Sequence, residues 1–218
     1  MQVFTNQVIF SSRNSHIRLA DNIARRVNQV YPRLSSTKYE GLKNSDKFNE
    51  NIVYLLVNIK KMRKEMYSYL AEVRGDYLKK SQRFAELITN KKLGNCHESA
   101  ILAEIAAKAN GIRNCYTAQL KPLTDKPSDA HDHVVLYVDS LKHPYVIDPW
   151  LGFADFVPNA LERYRKEFSN HFDFDKFGTE KMFFEPLGMK RNLSKAETSK
   201  FKEKFSQLII TTKDEAIG

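Results

Sequence analysis

The chain has 218 residues, of which 42% are hydrophobic, enough for one globular domain or for one domain with a helical appendage. Its formal net charge of +9, from 35 basic and 26 acidic residues, can indicate an acidic partner such as an acidic protein surface, nucleic acid or an anionic membrane. The basic residues are interspersed with acidic ones and form no aromatic-basic motif, so no nucleic-acid site is expected. The sequence has no run of 18 apolar residues, so no membrane span is expected either.

The N-terminus has no basic region before its apolar residues, a pattern that does not fit a secretory signal peptide. The two cysteines, Cys96 and Cys115, fall on different predicted elements, so no disulfide pairing is indicated. An intracellular, reducing compartment is therefore the simpler interpretation.

Helical patterns dominate the first 90 residues. Residues 2–10 alternate weakly and predict a short strand, whereas residues 15–31 predict a helix that Pro32 ends. Residues 46–74 predict a long amphipathic helix, and residues 77–89 predict another after a break. The apolar stripe of the long helix suits packing within the chain better than a coiled-coil dimer.

The long helix also carries a basic run at residues 60–64. We interpret this run as the solvated face of the helix. Because the N-terminal helices offer no set of catalytic residues, we expect them to serve substrate choice, with Lys60, Lys61 and Lys64 attracting an acidic surface.

Residues 94–111 predict a loop followed by a helix whose first residue is a cysteine. Asn95 is a good N-cap, and Glu98 follows three residues later, as in a capping box. The sulfur of Cys96 is then at the positive end of a helix dipole, where the nucleophilic thiolate is favoured. The alternative is that Cys96 is a small buried hydrophobic residue, the usual role of a cysteine.

Two later segments predict a β-hairpin that carries a histidine and an acid. His133 opens an apolar strand, and Asp148 ends the next one after a loop of hairpin composition. The start of one strand lies beside the end of the next in such a hairpin, so His133 and Asp148 are expected to be neighbours. An earlier strand over residues 112–120 contains Cys115, which we interpret as core packing.

Together, the cysteine motif at residues 94–96, the alanine-rich helix, the strand from Gly111, His133 and the segment 146–149 resemble the core of the transglutaminase-like superfamily. The similarity covers about residues 90–155. It implies a papain-like fold with a catalytic triad of Cys96, His133 and Asp148. The chain departs from many members at Val135, because they carry an aromatic residue two positions after the histidine.

The predicted fold class is α+β, with a small antiparallel sheet packed on the nucleophile helix of a papain-like, transglutaminase-like core. A helical N-terminal region at residues 1–90 would pack on this core, which takes residues 91–218. Within the core, residues 159–168 predict a helix, residues 182–184 a last strand, and the Ser194 capping box a C-terminal helix. An aromatic cluster, Phe172, Phe174 and Phe177, is interpreted as packing.

The predicted chemistry is cysteine-dependent acyl transfer at an amide. His133 would move the proton, and Asp148 would orient the imidazole. With water as acceptor the enzyme is a protease or a glutamine deamidase, and with an amine it is a transglutaminase. The resemblance implies a protein substrate and, by analogy, suits a bacterial effector or toxin delivered into a host cell. Since no phosphate loop, dinucleotide fingerprint or metal-ligand spacing is present, no organic cofactor and no metal are expected.

Alternatives remain for the residues and for the function. His131 competes with His133 for the role of base, because alternation places both on one side of an extended segment. His97 points about 100° away from Cys96 around the helix and is expected to be exposed. Trp150 would either line the cleft or fill the core. The alternative functions are a metal site and a non-enzymatic, helical protein-binding module.

Overall fold

A computed structural model describes residues 3–32, 48–73, 75–122, 133–140, 143–167, 182–187 and 191–211. The described helices are α1 (Val3–Val30), α2 (Phe48–Val73), α3 (Tyr77–Lys91), α4 (Cys96–Ala109), α5 (Val157–Glu167) and α6 (Lys195–Lys204), and a 3-10 turn follows at Ser206–Leu208. The described strands are β1 (Cys115–Pro122), β2 (His133–Val138), β3 (Tyr145–Asp148), β4 (Phe153–Phe156) and β5 (Met182–Pro186).

The first helix is longer than predicted. The weak alternation at residues 2–10 predicted a strand, and this prediction is wrong, because residues 3–30 form a single helix. No proline or glycine interrupts this stretch, so nothing in it stops the helix before Pro32. The other N-terminal helices agree with prediction: α2 covers Phe48–Val73, and Gly75 with a φ of 89° separates it from α3.

The five strands form one antiparallel sheet in the order β4-β3-β2-β1-β5. A predicted hairpin, β2 and β3, forms the middle of the sheet, with Leu136 opposite Ile147. Strand β4 was not predicted. It follows β3 after a turn of four residues, in which Gly152 adopts a φ of 81°, and it is only four residues long.

Side chains from both faces of the sheet are buried. One face packs on α4 and α1, in a core that also takes residues from α3 and α6. The other face packs on α5 through Val135, Val146, Phe153, Leu161 and Tyr164. The fold is therefore mixed α+β, with a sheet packed on α4 and a helical N-terminal part, as predicted.

The main hydrophobic core joins the N-terminal helices to the sheet. Ala20, Ile23 and Val27 of α1 belong to the same buried cluster as Leu102 of α4 and Ile147 of β3. Thus α1 is a structural neighbour of the site described below. The division between residues 1–90 and 91–218 stays a prediction. Among the residues that the structure describes, no helix has the length and apolar character needed to cross a membrane.

Candidate active site

Helix α4 begins at Cys96, in the geometry that the sequence predicts. Asn95 is the N-cap in an extended conformation and forms a capping box with Glu98. The Glu98 carboxylate accepts a hydrogen bond from the Asn95 backbone N–H at 2.9 Å. Cys96 takes part in no disulfide and is partly exposed. The start of the helix is thus fixed by its own side chains, with the sulfur in its first turn.

A second contact holds this helix start from a distant part of the chain. Arg63 of α2 donates from Nε and Nη2 to the two carboxylate oxygens of the fully buried Glu98, at 2.7 Å and 3.0 Å. Burial by itself would raise the pKa of Glu98, but Arg63 and the Asn95 N–H hold the pKa below its usual value. The interpretation of residues 60–64 as solvated therefore holds for the three exposed lysines and is wrong for Arg63.

His133 and Asp148 meet because of the strand register. Leu136 pairs with Ile147, so the same register continued by one residue sets Asp148 opposite Val135. His133 lies two residues before Val135 on the same face of the sheet, and this diagonal neighbour is within reach of a long side chain. Both residues are buried, at 5% and 1% exposure.

His133 contacts both other members of the predicted triad. Its Nε2 lies 2.7 Å from Asp148 Oδ2, and its ring also forms a hydrogen bond with the Cys96 side chain. Because Nε2 bonds to Asp148, Nδ1 is the ring nitrogen that remains for the hydrogen bond with Cys96. The structure therefore brings Cys96, His133 and Asp148 together, in the order that the sequence predicts.

The surroundings of His133 favour its charged form. Burial would lower the pKa of this imidazole, but the charge and hydrogen bond of Asp148, with a hydrogen bond that the ring donates to Cys96, raise the pKa to about 10. His133 therefore holds a proton at neutral pH. A protonated imidazole beside a cysteine is the arrangement that activates thiol nucleophiles.

The turn after β3 fixes the carboxylate of Asp148. Its Oδ1 accepts a hydrogen bond from the Leu151 N–H at 3.0 Å, and its carbonyl accepts from the Gly152 N–H at 2.7 Å. Such a bond from a side chain to the backbone ahead of it is typical of aspartate in turns. Asn28 of α1 donates to the Pro149 carbonyl at 2.6 Å, which ties the same turn to the N-terminal helix.

Two aromatic residues enclose the imidazole. The rings of Trp150 and Tyr164 lie 5.4 Å and 5.1 Å from the His133 ring, centroid to centroid. Trp150 remains partly exposed while it packs against the α5 side of the sheet, so it both lines the site and contributes to the core. The Tyr164 hydroxyl donates to Asp148 Oδ2 at 3.1 Å.

Sequence reasoning did not identify Tyr164 or Arg63 as part of this site. Tyr164 shares the buried face of α5 with Ala160 and Leu161, and that helical spacing signals packing rather than a polar contact. Arg63 stands among exposed lysines, where a basic residue suggests solvent exposure. Its position one residue after the buried Met62 was the only local signal of an inward side chain.

The remaining candidate residues have less direct relations to the site. His131 lies outside the described residues. His97 is half-buried and lines a cavity beside α4, so it is less exposed than predicted. Cys115 is fully buried, and burial raises the pKa of its thiol to about 12. In the described part of the chain, no group of three or more histidine, cysteine or carboxylate side chains could hold a metal ion.

Comparisons of this chain with models of known protein families, with curated proteins and with solved structures find no match in any of the three.

Proposed function

We propose that the protein is a cysteine-dependent acyl-transfer enzyme that acts on an amide of a protein substrate. The observation that carries this proposal is His133, which bonds to Cys96 on one side and to Asp148 on the other. The partly exposed sulfur at a helix N-terminus is the position from which thiol enzymes attack carbonyl carbons. We also propose that the sheet and α4 form a papain-like core related to the transglutaminase-like superfamily.

In the proposed mechanism, the proton of the Cys96 thiol resides on His133. The Cys96 sulfur attacks the amide carbon and forms an S–C bond, while the carbonyl oxygen takes the electron pair. Collapse of this intermediate breaks the C–N bond, and His133 gives its proton to the leaving amine. A pKa of about 10 keeps that proton in place at neutral pH.

Asp148 and its neighbours orient the imidazole during these proton transfers. The carboxylate accepts from His133, Tyr164 and the Leu151 N–H, so it has little freedom to rotate. A fixed carboxylate holds the imidazole in the tautomer that presents Nδ1 to the sulfur. The backbone N–H of Cys96, at the start of α4, is the proposed donor to the oxyanion.

The second half of the reaction needs an acceptor that releases the acyl group from Cys96. Water gives a carboxylic acid and the free thiol, which corresponds to a protease or a glutamine deamidase. An amine gives a new amide, which corresponds to a transglutaminase. We propose that the exposed Lys60, Lys61 and Lys64 of α2 attract an acidic surface of the protein substrate.

The test is to incubate the wild-type protein with cell lysates and to examine the products by mass spectrometry. A gain of about 1 Da at glutamine indicates deamidation, and a loss of about 17 Da on joining an amine indicates transglutamination, because amide nitrogen is exchanged at the acyl-enzyme stage. New chain termini indicate proteolysis. Cys96→Ala is the inactive comparison, and Cys115→Ala is the matched control that should retain the products.

A second candidate function is a non-enzymatic protein-binding module. It is favoured by α2, which exposes Val53, Leu56 and Val57 at 58%, 40% and 43% while its opposite face packs inward. If wild-type protein and Cys96→Ala give identical products in several lysates, and an amide-directed probe fails to label Cys96, the binding module replaces the enzyme.

A further inference from the structure

A cavity of about 230 Å³ lies beside the nucleophile, between α2, α3, α4 and β1. We call it the side pocket. Its walls are mainly aromatic and aliphatic, and include Tyr67, Tyr77, Phe84, Ile101 and Tyr116. An apolar cavity of about 150 Å³ is enough to hold a benzene ring, so the side pocket can take one aromatic side chain.

The lining of the side pocket reaches the first turn of α4, next to the proposed nucleophile. His97, which lines it, follows Cys96 directly in the chain, and Ile101 continues the same wall one helical turn later. On the opposite wall, Tyr67 lies one turn after Arg63, and the Arg63 guanidinium interacts electrostatically with both Tyr67 and Cys96. A substrate held at Cys96 therefore has a neighbouring side chain within reach of this cavity.

Two charged residues that line the side pocket, Glu104 and Lys80, already have partners within the protein. Glu104 accepts a hydrogen bond from the Tyr77 hydroxyl at 2.5 Å and lies 3.7 Å from the Lys108 ammonium. The Lys80 ammonium rests over the rings of Tyr77 and Phe84, at 5.8 Å and 5.5 Å. Because the charges of Glu104 and Lys80 are already engaged by these neighbours, the aromatic surface is what an uncharged side chain of a ligand meets.

We propose that the side pocket is a specificity site that binds a large aromatic side chain of the protein substrate, close to the amide that Cys96 attacks. This proposal rests on the proposed function and narrows its substrate class. Burial of an aromatic ring in a preformed apolar cavity provides the discrimination over small side chains.

The test uses two series of peptide chloromethyl ketones, N-acetyl-X-glycyl and N-acetyl-glycyl-X, with X as Phe, Leu, Ala or Lys. The Cys96 sulfur displaces chloride from the chloromethyl carbon, so one S–C bond forms and one C–Cl bond breaks. Intact-mass spectrometry gives the rate. We expect Phe to react at least about tenfold faster than Ala in one series, the discrimination that apolar pockets commonly reach.

Two variants and a matched control assign this selectivity to the side pocket. Tyr67→Ala removes one wall and should lower the Phe-to-Ala rate ratio at least about threefold. Ile101→Phe fills the cavity and should bring the ratio close to one. Tyr54→Ala removes the same side chain from the same helix at a comparably exposed position outside the pocket, and should keep the wild-type ratio. Each ratio is measured within one variant, so a change in overall reactivity cancels.

The outcomes separate this proposal from the proposed function. Equal rates for Phe and Ala, or fastest reaction with Lys, would overturn the side pocket while leaving a reactive Cys96 in place. A Phe-to-Ala ratio that both pocket variants leave unchanged would also overturn it. Failure of every chloromethyl ketone to label Cys96 would instead contradict the proposed function, and the side-pocket proposal would fall with it.

Discussion

Two clusters of side chains with the same four kinds of chemical group lie beside helix α4, one near each end. The N-terminal cluster is Cys96, His133, Asp148 and Tyr164, and the C-terminal cluster is Cys115, Lys108, Glu104 and Tyr77. Each has a thiol, a basic group, a carboxylate and a phenol. In each, the tyrosine hydroxyl donates to the carboxylate, at 3.1 Å in one and 2.5 Å in the other.

The clusters differ in the position of the sulfur and in the group beside it. Cys96 is partly exposed at the positive end of the helix, whereas Cys115 is sealed in the core. Lys108 lowers the pKa of Cys115, but burial outweighs this effect and raises the pKa to about 12. A set of suitable residue types therefore needs a sulfur that is accessible to substrate before it can catalyse.

The largest expected effect is the difference in reactivity between the two cysteines. At pH 7 we expect iodoacetamide to label Cys96 at least about a thousandfold faster than Cys115, since a pKa of about 12 leaves Cys115 almost no thiolate. Peptide mapping of the native protein at successive times measures both rates. In guanidinium the rates should become similar, and comparable labelling in the native state would refute the distinction.

The next effect concerns the carboxylate of the N-terminal cluster. Asp148→Asn should lower turnover of the amide substrate by about a thousandfold, because an amide cannot stabilise the His133 imidazolium and can favour the wrong tautomer. The rate of product formation between pH 5 and 10 is the measurement. Asp139→Asn, just after the other end of β2, is the matched control. An Asp148→Asn enzyme with wild-type turnover and pH profile would remove Asp148 from the mechanism.

The raised pKa of His133 predicts how stability depends on pH. Folded His133 holds its proton to about pH 10, while the unfolded side chain releases it near 6.5. The stabilisation is complete below pH 6.5 and is lost as the pH rises to 10, by about 1 kcal/mol per pH unit. Denaturant unfolding of wild type and His133→Gln across this range measures it. Their free energies of unfolding should converge with rising pH, and parallel curves would show that folded His133 is neutral.

Much of the N-terminal cluster could be predicted because its signals are local. Asn95 and Glu98 define the start of α4 within four residues, and His133 and Asp148 belong to one hairpin. Tyr164 and Arg63 could not be predicted, because the first contacts a residue 16 positions away and the second a residue 35 positions away. Nothing in an amphipathic pattern distinguishes a buried tyrosine that donates to a carboxylate from one that only packs.

The bounds of the helices and strands could be predicted only where the sequence carries a local start or stop signal. Ser194 marks the start of α6, which forms the predicted capping box with Glu197. Strand β4 is too short for its alternation to stand out, and it forms because β3 offers it a partner across a tight turn. The aromatic cluster at Phe172, Phe174 and Phe177 lies outside the described residues.

A smaller effect is expected from the ion pair that supports the nucleophile helix. Arg63→Gln removes the ion pair of the buried Glu98 carboxylate, and should lower the free energy of unfolding by about 2 kcal/mol. This value allows for Arg63 being one-third exposed, since its side chain is 33% accessible. Lys64→Gln on the same helix is the control, with a change below about 0.5 kcal/mol.

A double-variant cycle separates this pair from general helix effects. If Arg63 acts through Glu98, Glu98→Gln added to Arg63→Gln should cost less than the sum of the two single changes. Additive losses would show that the bidentate contact contributes nothing of its own. Slower alkylation of Cys96 in Arg63→Gln, without slower alkylation in Lys64→Gln, would show that the pair also positions the nucleophile.

The smallest expected effect comes from Tyr164. Its hydroxyl donates to the Asp148 carboxylate, so we expect Tyr164 to act as a positioning residue through Asp148. Tyr164→Phe keeps the ring beside His133 and removes only the hydrogen bond to Asp148. We expect turnover to fall by about three- to tenfold with KM unchanged, since a typical hydrogen bond contributes about 1 kcal/mol. Tyr137→Phe, on the same face of the sheet, should not alter turnover. If Tyr164→Phe loses stability but retains wild-type kcat and the wild-type pH profile, the hydroxyl serves the fold alone.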